Sequence, residues 1–299
     1  MIQLEHSFLR GSYPPLITPF RDGAVEYETF ARLVEYQIHH GSHGIVVCGT
    51  TAEPSTLTTT ERMQLVKVAI ETAAGRVPVV AATGSQSHEE TVTLTVQAEA
   101  AGADAVLIVP PPYIKPPQRG LVEYYTDVGR HTGLPLLIYH IPGRTAVDVQ
   151  LDTIERIAEQ IPHLVGIKHA VNDLAFVSKL LARFGFDFRI FVGLEELSFP
   201  MLAIGAAGMM NAVGNLAPRQ VAELFDRVAR GDLSGARRLH FELFELNQAI
   251  FFDTNPIPLK YMMKRSALLA NNEHRLPMVP ATAELEQRLD GVLQRAGLL

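Results

Sequence analysis

The chain has 299 residues, a net charge of −6, and 47% hydrophobic against 19% charged residues, with its glycines and prolines scattered. That balance excludes a disordered, collagen-like or low-complexity chain, and an acidic pI near 6.0 without basic runs argues against nucleic acid or an anionic membrane as a partner. The single cysteine, Cys48, can close no internal disulfide and has no spaced partners for a zinc site. With no leader-like N-terminus and no apolar run of about 18 residues, the expected setting is a reducing cytoplasm, with neither metal nor membrane span.

In chain order, short β-branched runs predict strands at Leu16–Thr18, Gly44–Cys48, Pro78–Thr83, Ala105–Val109, Pro135–Tyr139, Leu164–Lys168, Arg189–Gly193 and Gly208–Asn211. Longer stretches with helical spacing separate them. Thr58 and Glu61 form a capping-box start for a helix over Thr59–Ala74, and Asp152–Gln160 and Leu174–Phe184 carry apolar residues three and four apart. The segments around Gly41, Gly102 and Gly205 read as one helix-to-strand turn used three times. Nearly all-apolar strands need cover on both faces, which parallel sheets get from crossover helices. Eight such units predict a (β/α)8 TIM barrel, with a doubly wound sheet as the second choice. From Arg219 onward the pattern is helix only, at Arg219–Arg230, Leu233–Phe251, Pro258–Ala270 and Ala283–Ala296. The division this suggests is a barrel over 1–231 and a C-terminal three-helix appendage over 232–299.

Catalytic groups of such barrels sit where strands end. The strand-end residues are Thr18, Thr50 with Thr51, Thr83, Pro110–Tyr113, Tyr139, Lys168, Gly193 and Asn211. Lys168 alone among six lysines closes an apolar strand. Desolvation there would favour the neutral amine, the form that attacks a carbonyl to make a Schiff base. The plainer alternative is a lysine that reaches the rim and pairs with a carboxylate. Tyr139 ends the preceding strand, a neighbour by right-handed crossover, so its phenol could shuttle protons beside such an imine; alone, it would be a packed aromatic. The turn Gly49–Glu53 offers two hydroxyls and several backbone donors to a carboxylate, and Arg144, just past a strand end, could clamp a second one with two parallel hydrogen bonds. The competing readings are a helix-capping turn and a surface arginine. His39, His40 and His43 fall in a helix-to-strand turn, at the face opposite the chemistry, and Cys48 reads as a buried inert thiol. No dinucleotide, phosphate-loop or HExxH pattern occurs.

Taken together, LITPF (Leu16–Phe20), GTTAEPSTLT (Gly49–Thr58), PPPYIKPPQRGL (Pro110–Leu121), YHIPGRT (Tyr139–Thr145), GIKHA (Gly166–Ala170), GMMNAVGN (Gly208–Asn215) and NPIPLK (Asn255–Lys260) resemble one family in order and spacing. It is the pyruvate-dependent class I aldolases and lyases, the dihydrodipicolinate synthase and N-acetylneuraminate lyase family. The resemblance spans about Gly11 to Ala270 and is nearest the synthase branch, because of Arg144 and the double threonine. It implies that Lys168 forms the imine with pyruvate without a further cofactor and that Tyr139 donates protons. Thr50 and Tyr113 would complete a relay, with Tyr113 lent by the neighbouring subunit of a tight dimer within a tetramer. Thr51, with backbone near Met210, would hold the pyruvate carboxylate, and Arg144 the carboxylate of the aldehyde, aspartate semialdehyde. Ala52, Pro112 and His169 depart from the family's usual glycine, tyrosine and glutamate. A lyase or dehydratase of a 2-keto-3-deoxy sugar acid is the alternative enzyme, and a carboxylate-binding protein without activity the alternative outside catalysis. The resemblance also suggests weak feedback by lysine, since its effector positions read Pro54, Ser55, Thr59, Gln86 and Pro112, with only Glu90 matching a family acid.

Overall fold

A computed structural model describes all residues, 1–299. The barrel strands are β1 (Gly11–Ser12), β2 (Ile45–Val47), β3 (Val79–Ala82), β4 (Ala105–Ile108), β5 (Leu136–His140), β6 (Leu164–His169), β7 (Arg189–Val192) and β8 (Gly208–Met209). Every residue in them is buried, as expected of strands covered on both faces. They pair in parallel in the order β1-β8-β7-β6-β5-β4-β3-β2, and a bridge between Pro15 and Val46 brings the two edges together. The barrel is nearly closed, so no long edge is left to pair with another chain.

Crossover helices α1 (Tyr27–His39), α2 (Thr59–Ala73), α3 (His88–Ala101), α4 (Gln118–Arg130), α5 (Leu151–Gln160), α6 (Leu174–Phe184), α7 (Ser198–Ala203) and α8 (Pro218–Ala229) surround the strands. Both halves of the capping box at α2 form: Glu61 N–H donates to Thr58, and the Glu61 side chain receives the Thr58 N–H. The repeated helix-to-strand turn is also present. Gly102 and Gly205 adopt φ of +95° and +114°, and a Cβ on Gly205 would lie 2.6 Å from the Phe186 ring.

Two elements differ from their sequence-based prediction. The first strand is Gly11–Ser12 rather than Leu16–Thr18. Pro14 and Pro15 have no N–H to extend a ladder, and beyond them Ile17 N–H turns to the Asn215 side chain instead of a strand. The apolar run Leu16–Ile17 is therefore buried loop. The helix expected over Leu233–Phe251 is two helices, α9 (Leu233–Glu242) and α10 (Phe244–Ala249), so the C-terminal region holds four helices with α11 (Ile257–Arg265) and α12 (Ala283–Arg295). Leu243 keeps a right-handed conformation (φ −82°, ψ −11°), which makes the break a kink. No proline or glycine marks it.

At the barrel's N-terminal face His43 accepts from Ser12 N–H and contacts Asp226 at 3.1 Å, a structural role as expected. At the opposite face the C-terminal region braces the turn after β2. Glu53, held at φ +57°, accepts from Lys260 Nζ at 2.8 Å and contacts His274 Nδ1 at 2.9 Å, with Glu53 and Lys260 both about 1% exposed. Lys260 also donates to Glu273 O and lies over the Phe20 ring, 4.4 Å from its centroid. Removing one partner of a buried pair strands the other's charge, at a cost of about 3–5 kcal/mol. Lys260→Ala should lose that much stability by urea unfolding; a loss below about 1 kcal/mol, the worth of an exposed pair, would show that Glu53 is not held by it.

Candidate active site

The last rung between β5 and β6 sets the site. The register pairs Tyr139 with Lys168 and His140 with His169, and because side chains alternate along a strand, the first pair faces one side of the sheet and the second the other. Lys168 is 4% exposed, its Nζ lies 4.3 Å from the centroid of the Tyr139 ring, and it makes no ion pair. Tyr139 is buried and receives a hydrogen bond from Thr50 Oγ1 at 3.3 Å. Room for the lysine stem comes from Gly193, where a Cβ would stand 3.1 Å from Lys168 Cε and 2.8 Å from Ala170 Cβ.

The turn after β2 supplies the next wall. Thr50–Ala52 form one turn of 3-10 helix whose leading amides, those of Thr50 and Thr51, donate to no protein acceptor. Free amides at such a turn suit a carboxylate. The Thr51 hydroxyl is buried and receives a hydrogen bond from Asn255 Nδ2 at 2.9 Å. Met210 lines the same cavity and is buried, but its own N–H is committed to Val192 O, so it contributes packing rather than a donor. These groups enclose a cavity of about 50 Å³, lined also by Arg144, Glu195, Leu194 and Phe251. It adjoins a larger cavity of about 550 Å³, the two sharing Thr50, Ile141, Arg144 and Asn255. Arg144 is exposed at that junction and reaches Asn255 O at 3.4 Å.

Lys168, Tyr139, Thr50, Thr51, Arg144 and Met210 thus come together around one cavity. Tyr113 does not. It stands on the loop after β4 at φ +77°, 83% exposed, and lines neither cavity. A bulky side chain in the left-handed region, held out into solvent, is a strained arrangement for a residue with nothing to pack on.

Sequence reasoning missed two groups in the small cavity. Asn255 lies 204 residues from Thr51, and although it opens the NPIPLK motif, nothing in that motif points to this contact. Glu195 lies two residues beyond Gly193, where a search confined to strand ends stops. Its carboxyl is 2% exposed, with Oε1 accepting from Ala212 N–H at 2.6 Å and Oε2 without a partner. Burial pushes it up to about 7 from the usual 4.5, backbone hydrogen bonds and, to a lesser degree, the Lys168 charge offsetting only part of that.

Behind the rung, the departure at His169 has a partner. His140 Nε2 meets Asp148 at 2.8 Å, and His140 Nδ1 meets His169 Nδ1 at 3.1 Å. For all these contacts to be hydrogen bonds, His140 carries its proton on Nε2 and His169 on Nδ1. Burial draws the His140 ring below its usual range and His169 to about 4, with His140 adding to the latter. Cys48 is buried, and burial pushes its thiol up to about 11, as an inert side chain requires.

A (β/α)8 barrel with a partly desolvated lysine beside a tyrosine and a threonine hydroxyl defines a class of carbonyl-handling protein. Residues 8–296 match the description "Dihydrodipicolinate synthetase family". A 4-hydroxy-tetrahydrodipicolinate synthase of Thermus thermophilus is 46% identical over 291 residues, 97% of each chain. The crystal structure of a dihydrodipicolinate synthase from Aquifex aeolicus is 38% identical with a TM-score of 0.94, over 97% of this chain and 98% of that one. A dihydrodipicolinate synthase of Cyanidioschyzon merolae with lysine bound is 31% identical with a TM-score of 0.94, over 99% of this chain and 100% of that one. The chain belongs to the dihydrodipicolinate synthetase family.

The Glu195 carboxyl yields a pH prediction. Its folded-state pKa exceeds the unfolded one, so the folded protein binds the extra proton and stability falls as pH rises from about 4.5 through about 7. Glu195→Gln removes that loss. The variant's stability gain over wild type should be larger at pH 8 than at pH 5 by roughly 2–3 kcal/mol in urea unfolding; a gain independent of pH would show that the carboxyl titrates normally.

Proposed function

We propose that the protein condenses pyruvate with aspartate semialdehyde through an imine on Lys168, the reaction of a 4-hydroxy-tetrahydrodipicolinate synthase. The observation that carries this is the contact chain of Lys168, Tyr139 and Thr50 at the floor of a buried cavity. In this reading Lys168 supplies the nucleophilic nitrogen and needs no organic cofactor. Tyr139 and Thr50 move protons to and from the reacting carbonyl oxygen. Thr51, with the free amides beside it, receives the pyruvate carboxylate against Met210. Arg144, at the junction of the two cavities, grips the carboxylate of the aldehyde as it enters from the larger one. Tyr113 completes the relay in a neighbouring subunit, within a homo-oligomer arranged as a dimer of dimers. The strained, solvent-facing placement of Tyr113 supports that role. A cytoplasmic enzyme fits the free thiol and the want of any helix long and apolar enough to cross a membrane.

A turnover assay with pyruvate and aspartate semialdehyde, run beside a panel of 2-keto-3-deoxy sugar acids, tests the reaction. Condensation should exceed any sugar-acid cleavage or dehydration, and the reverse order would reassign the enzyme. Arg144→Ala removes a charge-assisted pair worth about 1.5–3 kcal/mol, so kcat/KM for the aldehyde should fall roughly ten- to 150-fold while pyruvate imine formation persists. An unchanged aldehyde requirement would make Arg144 a surface residue.

Lysine should inhibit poorly. Ser55, Gln86, Glu90, Pro54 and Pro112 all line the large cavity, but so does the buried Arg62, which sequence reasoning left out. The Glu90 carboxylate is already occupied by Ser85 and Thr59 hydroxyls, which hold it below its usual range. Arg62 Nη2 donates to Ala82 O and Gly84 O, so that nitrogen is not free to take the lysine carboxylate. Titration into the turnover assay should show little inhibition below about 1 mM lysine, a level that corresponds to about 4 kcal/mol of binding; half-inhibition at tenfold less would contradict it.

A further inference from the structure

We propose that Glu195 is a catalytic acid–base of the imine-forming step, its free oxygen taking the proton that the Lys168 ammonium sheds and returning it to the hydroxyl that leaves as water. The inference rests on the reading of Lys168 as the imine-forming residue and extends it to a group that lies on a different element.

Four observations carry it. Glu195 is the one carboxylate lining the small cavity, with Lys168 and Arg144 as the cations there and Tyr139 as the other titratable group. Its Oε1 is fixed by Ala212 N–H at 2.6 Å, whereas Oε2 is buried without a partner. Its backbone is pinned as well, because Ser198 Oγ donates to Glu195 O at 2.8 Å and itself receives Asn211 Nδ2 at 2.6 Å. Finally, Lys168 makes no ion pair within 4.0 Å, so Glu195, the one carboxylate on the cavity, is placed to receive its proton across a bridging water. A glutamate kept only to cap the turn at Ala212 would be replaced without loss by glutamine, whose carbonyl accepts the same N–H. The unfilled Oε2 is what an amide cannot reproduce. Burial pushes the carboxyl up to about 7, so it can both take and give a proton near neutrality.

The steps balance. Deprotonated Glu195 takes one proton from the Lys168 ammonium through a bridging water, which gives up one proton as it receives the other, and the freed lone pair forms the C–N bond as the C=O π pair moves onto oxygen. That oxygen takes a proton from Tyr139, and the phenolate recovers one from the now cationic nitrogen. Glu195 then protonates the carbinolamine hydroxyl, the C–O bond breaks, water leaves, and the nitrogen lone pair closes the iminium. Glu195 ends ionised and Tyr139 protonated, as both began.

The test is the rate of pyruvate imine formation, read by rapid quench into borohydride and the mass of the peptide containing Lys168, from about pH 6 to about pH 8.5. Wild type should show a break near pH 7. Glu195→Gln should be slower at neutral pH by about 10²-fold and lack the break, and Glu195→Asp should recover part of the rate with the break displaced. A Glu195→Gln protein with the wild-type rate and profile overturns the proposal. Should that variant fail to fold by circular dichroism, Glu195→Asp decides: a slower rate with a displaced break supports the assignment, and an unchanged profile overturns it. Wild type that labels at Lys168 while the variants are unaffected refutes Glu195 alone, whereas wild type unlabelled at Lys168 refutes the imine as well.

Discussion

The structure depends on one rung of a parallel barrel, the register that sets Tyr139 beside Lys168 at the ends of β5 and β6. Because both strands are buried on both faces, neither can slip by a residue without exchanging its inward and outward side chains. The lysine is thereby buried against an aromatic ring, in direct contact with no carboxylate. Gly193 leaves the space for its stem, and Tyr139 offers a ring face and a hydroxyl tied to Thr50.

The next rung, whose side chains face outward, is closed by the His140–His169 pair. His169 donates to His140, which donates to Asp148, a chain that works in only one tautomeric arrangement. It joins the two strand ends by side chains where backbone pairing is about to stop. Farther out, Lys260 and His274 grip Glu53 and hold the threonine turn against the C-terminal region. The site is thus built on strand ends and braced at two points by buried polar groups, which is how a lysine, a tyrosine and a threonine from three strands keep one geometry.

Much of this was legible before any coordinates. Period, strand length and crossover spacing are local properties, so the eight-fold repeat, Tyr139 as neighbour of Lys168, and the capping box at Thr58 could all be read from residues close in the chain. The first strand could not, because the apolar Leu16–Ile17 pair mimics a strand while two prolines move the ladder upstream. The kink at Leu243 carries no residue signal. Glu195 escaped because its identity as a site residue depends on burial and on an unfilled oxygen, neither of which has a sequence signature. Asn255, though it opens the NPIPLK motif, and Arg62 escaped as site residues because each reaches its cavity through contacts distant in the chain. His169, visible as a departure, acquired a physical reason only when His140 and Asp148 were seen beside it.

The central claim is that the rung at Tyr139 and Lys168 makes a nucleophilic amine. Carbon-13 spectra of the protein mixed with pyruvate labelled at its keto carbon test it most directly, because an imine carbon and a free ketone resonate apart. Wild type should show a protein-bound imine signal that Lys168→Arg loses while it keeps its fold, since a guanidinium stays protonated and forms no imine. An imine signal that survives in Lys168→Arg, or one that never appears in wild type, would contradict the account.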